Sequence, residues 1–130
     1  MNSASHHVLL VEDYEPNVVV AGYFLEDFGC TYDVAHNGMD ALEKAHKTRY
    51  IAILMDVQMP VMDGYTATAH IRKFEQEHNL PRAAIIGMTA NALVGDREKC
   101  IESGMDDYIS KPFSPDDLKK KLYTYLSAKE

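Results

Sequence analysis

The sequence predicts an α/β domain of the doubly wound kind, built on a parallel sheet. Three observations carry that expectation. Short, nearly continuous apolar runs such as Val8-Leu9-Leu10-Val11 and Tyr50-Ile51-Ala52-Ile53-Leu54-Met55 read as strands buried on both faces. Segments with helical spacing alternate with these runs, and no connection looks longer than a short loop. The runs also end on polar, reactive side chains, and open α/β sheets gather their chemistry at the carboxyl ends of their strands.

Taken in order, residues 1–7 form a small polar leader, and its His6-His7 pair reads as a solvated tail. The first strand, Val8 to Val11, ends on Glu12-Asp13. Pro16 suits a first helical turn, and Asn17 to Phe28 is helical until Gly29 stops it. Thr31 to His36 is a shorter strand, Asn37-Gly38 a turn, and Met39 to Lys47 a second helix. The third strand, Tyr50 to Met55, ends abruptly on Asp56; Pro60 and Gly64 then force a loop before a helix from Tyr65 to Glu77. Asn79, Leu80 and Pro81 break that helix. Ala83 to Met88 is the fourth strand and ends at Thr89. A polar helix from about Leu93 to Ser103 stops at Gly104. Asp107 to Ser110 is the fifth strand and ends at Lys111-Pro112. Ser114-Pro115-Asp116-Asp117 has capping-box character, and the last helix runs to about Ala128. Residues 8–128 are therefore expected to form one domain, with no repeat, no linker and no room for an output domain within the chain.

A chain of 130 residues supports one proper core. Its 20 acidic residues against 13 basic ones, a net charge of −7, argue against a nucleic-acid partner and against adsorption to an anionic membrane. No apolar run approaches transmembrane length and no signal peptide precedes the first strand. Cys30 and Cys100 have no metal-type spacing, so they read as reduced, buried thiols of a cytoplasmic protein.

In a doubly wound sheet the strand ends share one edge, so Glu12, Asp13, Asp56, Thr89 and Lys111 converge. Three packed carboxylates repel one another without counter-charge. Lys111 supplies one positive charge, and a hard divalent cation with oxygen ligands, Mg²⁺, suits the remainder. A lysine, a hydroxyl and Mg²⁺ around one carboxylate form an electrostatic clamp for a phosphoryl group in transfer. Asp56 itself can be the nucleophile, giving an aspartyl phosphate. The competing reading is a structural salt-bridge cluster of Lys111 with Asp13 and Asp56.

Four stretches, in this order, carry a resemblance: Val11-Glu12-Asp13, Met55-Asp56-Val57-Gln58-Met59-Pro60-Val61-Met62-Asp63-Gly64, Met88-Thr89-Ala90-Asn91-Ala92 and Ser110-Lys111-Pro112-Phe113. From Val8 to Leu126 the chain resembles the receiver domain of response regulators in two-component signalling, in the form found in hybrid sensor kinases and phosphorelays. The resemblance implies a flavodoxin-like sheet of strand order 2-1-3-4-5 with five helices. It implies that Asp56 accepts a phosphoryl group from the phosphohistidine of a histidine kinase or histidine-phosphotransfer protein. Asp13, Asp56 and the main-chain carbonyl of Gln58 would bind Mg²⁺, with Glu12 acting through a metal-bound water. Thr89 and Lys111 would contact the phosphoryl oxygens, Tyr108 would be the aromatic switch residue, and Lys111-Pro112 would be a cis bond. Gln58 and Asn91 would tune the lifetime of the phosphorylated state, to minutes or more. The chain would act as a signalling receiver and not as an enzyme on other substrates.

Two rival chemistries fit less well. A haloacid-dehalogenase-type phosphatase places a second acid two residues after its nucleophile, and here that residue is Gln58. A flavodoxin cradles phosphate in its first loop, and here that loop opens with Glu12-Asp13-Tyr14-Glu15. A pure interaction module with an idle pocket is the third alternative. The first predicted helix is apolar nearly all round. If Asn17, Val20, Phe24 and Phe28 pack on the sheet, then Val18, Val19, Gly22 and Tyr23 face outward beside the Asp56 pocket. That face is the expected docking surface for the phosphodonor, and a homodimer contact is its competing use.

Overall fold

The computed structural model describes residues 6–57, 62–89, 94–111 and 114–128. The chain alternates β1 (His7–Val11), α1 (Glu15–Asp27), β2 (Thr31–Ala35), α2 (Gly38–Lys47), β3 (Ala52–Asp56), α3 (Gly64–Glu77), β4 (Ala84–Thr89), α4 (Val94–Ser103), β5 (Asp107–Ser110) and α5 (Pro115–Ala128). The sheet has the order β2-β1-β3-β4-β5 and every pairing is parallel. Both fold class and strand order agree with the sequence reading, and element ends agree to within two residues.

Strand side chains alternate between faces, so each buried strand feeds two cores. On one face Val8, Leu10, Leu54 and Ile86 meet Val18, Ala21 and Leu25 of α1 and Leu118 and Leu122 of α5. On the other, Leu9, Val11, Ile53 and Ile85 meet Ala41 and Ala45 of α2 and Ala67 and Ile71 of α3. β3 and β4 are buried along their whole length, which is why their sequences show no polar alternation. Each fully buried Leu or Ile contributes roughly 1.5–3 kcal/mol relative to exposure.

Helix starts follow their sequence signals. Asn37 Oδ1 accepts the Asp40 amide at 2.8 Å, Asp63 Oδ1 accepts the Thr66 amide at 2.8 Å, and Ser114 Oγ accepts the Asp117 amide at 3.1 Å. Gly29 and Gly104, at φ +82° and +110°, supply the left-handed residue that closes α1 and α4. Cys30 and Cys100 are buried and form no disulfide, and burial pushes the Cys30 thiol pKa up.

Two expectations are corrected. His7 is not tail: it opens β1, its Nδ1 lies 2.7 Å from Thr31 Oγ1 and its Nε2 3.1 Å from Asp33 Oδ2, and its ring stacks on Tyr50. Tyr50 donates its hydroxyl to the same Asp33 carboxylate at 2.7 Å, which chiefly holds the Asp33 pKa below its ordinary value. The packing face of α1 is also corrected in part, although Phe24 and Phe28 pack against the core as expected. Val18 and Gly22 lie inward with Ala21 and Leu25, while Val20 lies outward with Val19 and Tyr23. The reason is size. A Cβ on Gly22 would come within 2.3 Å of the Tyr32 hydroxyl, so the glycine lets α1 sit close to β2. With apolar residues all round, spacing alone did not fix which stripe faced the sheet.

A buried polar cluster braces the amino end of β4 and the turn before β5. Arg72 of α3 donates to Glu75 Oε1 at 2.9 Å, to the Ala83 carbonyl at 2.8 Å, to the Gly104 carbonyl at 2.8 Å and to Asp106 Oδ2 at 2.8 Å. The same two carboxylates accept the Ala83 amide at 2.9 Å and the Ile85 amide at 2.8 Å.

Candidate functional site

β1, β3 and β4 end side by side, and their last residues make the site. Glu12 follows β1 directly; its amide donates to the Ala35 carbonyl at 2.9 Å, so its side chain is still directed by the sheet and is only 2 % exposed. Asp13, the next residue, is exposed. Asp56 ends β3 and is 3 % exposed. Directly after it, the Val57 amide donates to the Met88 carbonyl at 3.1 Å, and Thr89, buried, follows at the end of β4. The Lys111 amide donates to the Thr89 carbonyl at 2.7 Å, which brings the lysine to the same edge. Gly64 lets α3 begin against the back of Asp56, since a Cβ there would stand 2.3 Å from the Asp56 carbonyl oxygen.

Carboxylate oxygens of Glu12, Asp13 and Asp56 all lie within 4.8 Å of one another. The Lys111 ammonium reaches Glu12 Oε1 at 2.9 Å and Asp56 Oδ2 at 3.2 Å. Burial by itself would lower the Lys111 pKa; the hydrogen bond to Glu12 and the charges of Asp56 and Glu12 outweigh it, and the net shift is upward. The lysine is therefore a fixed cation. Three carboxylates against one ammonium still leave an excess of negative charge in a largely buried space. An all-oxygen donor set with that excess fits a hard divalent cation such as Mg²⁺.

Glu12, Asp13, Asp56, Thr89 and Lys111, expected at one edge, are thus brought together. The partner of Lys111 besides Asp56 is Glu12 and not Asp13. Tyr108, on β5 in register with Gly87, is half-buried, and the Lys121 ammonium lies 5.7 Å from its ring centroid. Gln58, Asn91 and the Lys111-Pro112 bond fall at or beyond the limits of the described residues. Tyr14 was missed as a surface residue: it is 61 % exposed on the loop between Glu12 and α1, and with Val19, Val20 and Tyr23 it extends the exposed apolar surface of this region. The sequence offered no separate signal for it, because the helix that follows is apolar nearly all round. Among the described residues no helix is long and apolar enough to cross a membrane.

Comparisons with known proteins agree with this geometry. The family model described as "Response regulator receiver domain" matches residues 8–123. Over 121 residues the chain is 40% identical to hybrid signal transduction histidine kinase L of Dictyostelium discoideum, a match covering 91% of this chain and 7% of that protein. The chain spans less than a fifth of the curated relatives it matches, 18% of the yeast transcription factor SKN7 for example. Among solved structures it is similar to the receiver domain of sensor histidine kinase PA1611 from Pseudomonas aeruginosa, determined with magnesium in its active site cleft. That match has a TM-score of 0.86 and 42% identity, and covers 95% of this chain and 99% of that one. It is also similar to the structure of the Saccharomyces cerevisiae phosphotransfer protein Ypd1 with the receiver domain of Ssk1, with a TM-score of 0.89 and 32% identity, covering 95% of this chain and 90% of that one.

Proposed function

The chain belongs to the response-regulator receiver family, a signalling module of two-component and phosphorelay systems, and on that premise we propose that Asp56 is its phosphoacceptor. The observation that supports this most directly is the position of Asp56: a buried carboxylate at the end of β3, 3.2 Å from a lysine ammonium and within 4.8 Å of two further carboxylates. Glu12, Asp13 and Asp56, with the Gln58 main-chain carbonyl, would hold Mg²⁺, which when bound neutralises the clustered carboxylates and the oxygens of an incoming phosphoryl group.

The chain's own residues then have defined tasks. An Asp56 carboxylate oxygen attacks phosphorus in line as the bond from phosphorus to the donor's imidazole nitrogen breaks, and the imidazole leaves carrying a proton. Lys111 moves its ammonium from Asp56 and Glu12 onto a phosphoryl oxygen. The Thr89 hydroxyl donates to another. The new dianion thus draws two strand ends inward, and Tyr108 turns in behind Thr89; a local charge change biases a two-state surface. Gln58 and Asn91 orient the water that later hydrolyses the acyl phosphate. The protein in this reading catalyses only its own phosphorylation and dephosphorylation, in the cytoplasm. Its donor is a histidine kinase or histidine-phosphotransfer protein that docks on the exposed face of α1, at Val19, Val20 and Tyr23; nucleic acid and membrane play no part.

Incubation with Mg²⁺ and phosphoramidate, followed by intact-mass spectrometry, tests the assignment. One phosphoryl mass is expected on the native chain and none on Asp56→Asn. Full labelling of the variant would overturn it. Replacing Gln58 and Asn91 together with Ala should change the decay of the labelled state; an unchanged decay removes them from the mechanism.

A further inference from the structure

At the edge of the sheet opposite Asp56, a cavity of ≈ 360 Å³ opens between the end of α2 and the end of α3. Its floor is apolar: Ala45, Ile53, Ile71 and Ala83 are all buried. Two aromatic rings stand in its walls and both are held in place. Tyr50 is fixed by its hydrogen bond to Asp33 and by the stacked His7 ring, 5.2 Å away. Phe74 lies against His46 at 3.8 Å and His78 at 4.1 Å between ring centroids. The cavity is therefore preformed, and its size falls at the lower end of small-ligand sites, which run from roughly 300 to 1,000 Å³.

The charges around it select the ligand. Glu75, the acid in the wall, is committed to Arg72 at 2.9 Å and to the Ala83 amide at 2.9 Å. Arg82 on one side is neutralised by Asp106 at 3.0 Å. Arg49 on the other side is different. Its guanidinium donates to the Ala45 carbonyl and meets no carboxylate among the described residues. One donor anchors the group over the cavity, and the rest of the planar fork remains to take two oxygens side by side. An apolar floor, two rigid rings and one uncompensated guanidinium match one chemistry.

We propose that this cavity binds a small aromatic carboxylate, with its ring system on the apolar floor between Tyr50 and the edge of Phe74 and its carboxylate on Arg49. Sodium 2-naphthoate, titrated into the ¹⁵N-labelled protein, is the probe. Saturable amide shifts are expected at Ala45, Ile53, Phe74 and Ala83, with none at Asp13 or Thr89. Neutral 2-naphthamide should bind at least fivefold more weakly. Arg49→Gln, a surface change that leaves the remaining spectrum intact, should weaken naphthoate at least fivefold while leaving naphthamide unchanged. Absence of saturation, shifts centred elsewhere, or equal affinity for acid and amide would each overturn the proposal.

Discussion

At the scale of single residues, the site is a balance of charge, and the balance has a testable sign. In EDTA, Asp56→Asn removes one of three crowded carboxylates and should raise the free energy of unfolding by about 1 kcal/mol. Lys111→Met removes the one cation and should lower it by about 3 kcal/mol, because Glu12 and Asp56 are left buried and uncompensated. Urea melts with and without Mg²⁺ measure both, and the gain on adding Mg²⁺ should shrink in Asp56→Asn. The raised Lys111 pKa gives its contribution a pH dependence: the stabilisation is complete below the ordinary value of 10.5 and is lost as pH rises through the higher folded value. The residues of this site were legible because a buried run that stops on a charged side chain announces a strand end, and parallel strand ends share an edge. The pairing of Lys111 with Glu12 was not legible. It depends on Glu12 still being hydrogen-bonded to β2 through its amide, which keeps it buried while Asp13 lies exposed.

At the scale of elements, two glycines separate close approach to a side chain from close approach to backbone. A Cβ on Gly38 would stand 2.3 Å from the Met62 carbonyl oxygen, whereas one on Gly22 would meet the Tyr32 hydroxyl, the end of a half-buried side chain that can swing aside. Gly22→Ala should therefore lie within about 0.5 kcal/mol of native stability, since the gain in helix propensity offsets the shift of Tyr32. Gly38→Ala should cost more than about 1 kcal/mol, because α2 or the Met62 backbone must move. Thermal melts decide. At the foot of the sheet, Tyr50→Phe removes a hydrogen bond to Asp33 and should cost about 1 kcal/mol at pH 7. Asp33 has a lowered folded pKa, so its contribution is present above its ordinary value of 3.8 and is lost as pH falls through the folded value. The difference between native and variant should accordingly narrow steadily as unfolding is measured at pH values falling below 3.8. The order of elements was readable from apolar runs and their breakers. The phase of α1 was not, since Val18, Val19 and Val20 are equally apolar and spacing alone does not choose among them.

At the scale of the whole molecule, the exposed apolar face of α1 and the acidic edge are neighbours, so a partner docked on one can reach the other. Val19→Glu with Tyr23→Lys should reduce phosphoryl transfer from a phosphohistidine protein at least tenfold and leave labelling by phosphoramidate intact; equal survival of both reactions would remove α1 from the docking surface. The two ends of the sheet also differ in how they are secured. At the Asp56 end, strand ends meet through the Lys111 ammonium paired with Glu12 and Asp56. At the opposite end, Arg72 ties α3, the Ala83 carbonyl, the Gly104 turn and Asp106 into one buried unit. Amide hydrogen exchange should expose this polarity. The Ala83 and Ile85 amides, held by Glu75 and Asp106, should exchange only through global unfolding, while the amides of Val57 and Lys111 should exchange through local opening. The sheet would then behave as a hinged fan, clasped at the handle and free to spread where the phosphoryl group arrives.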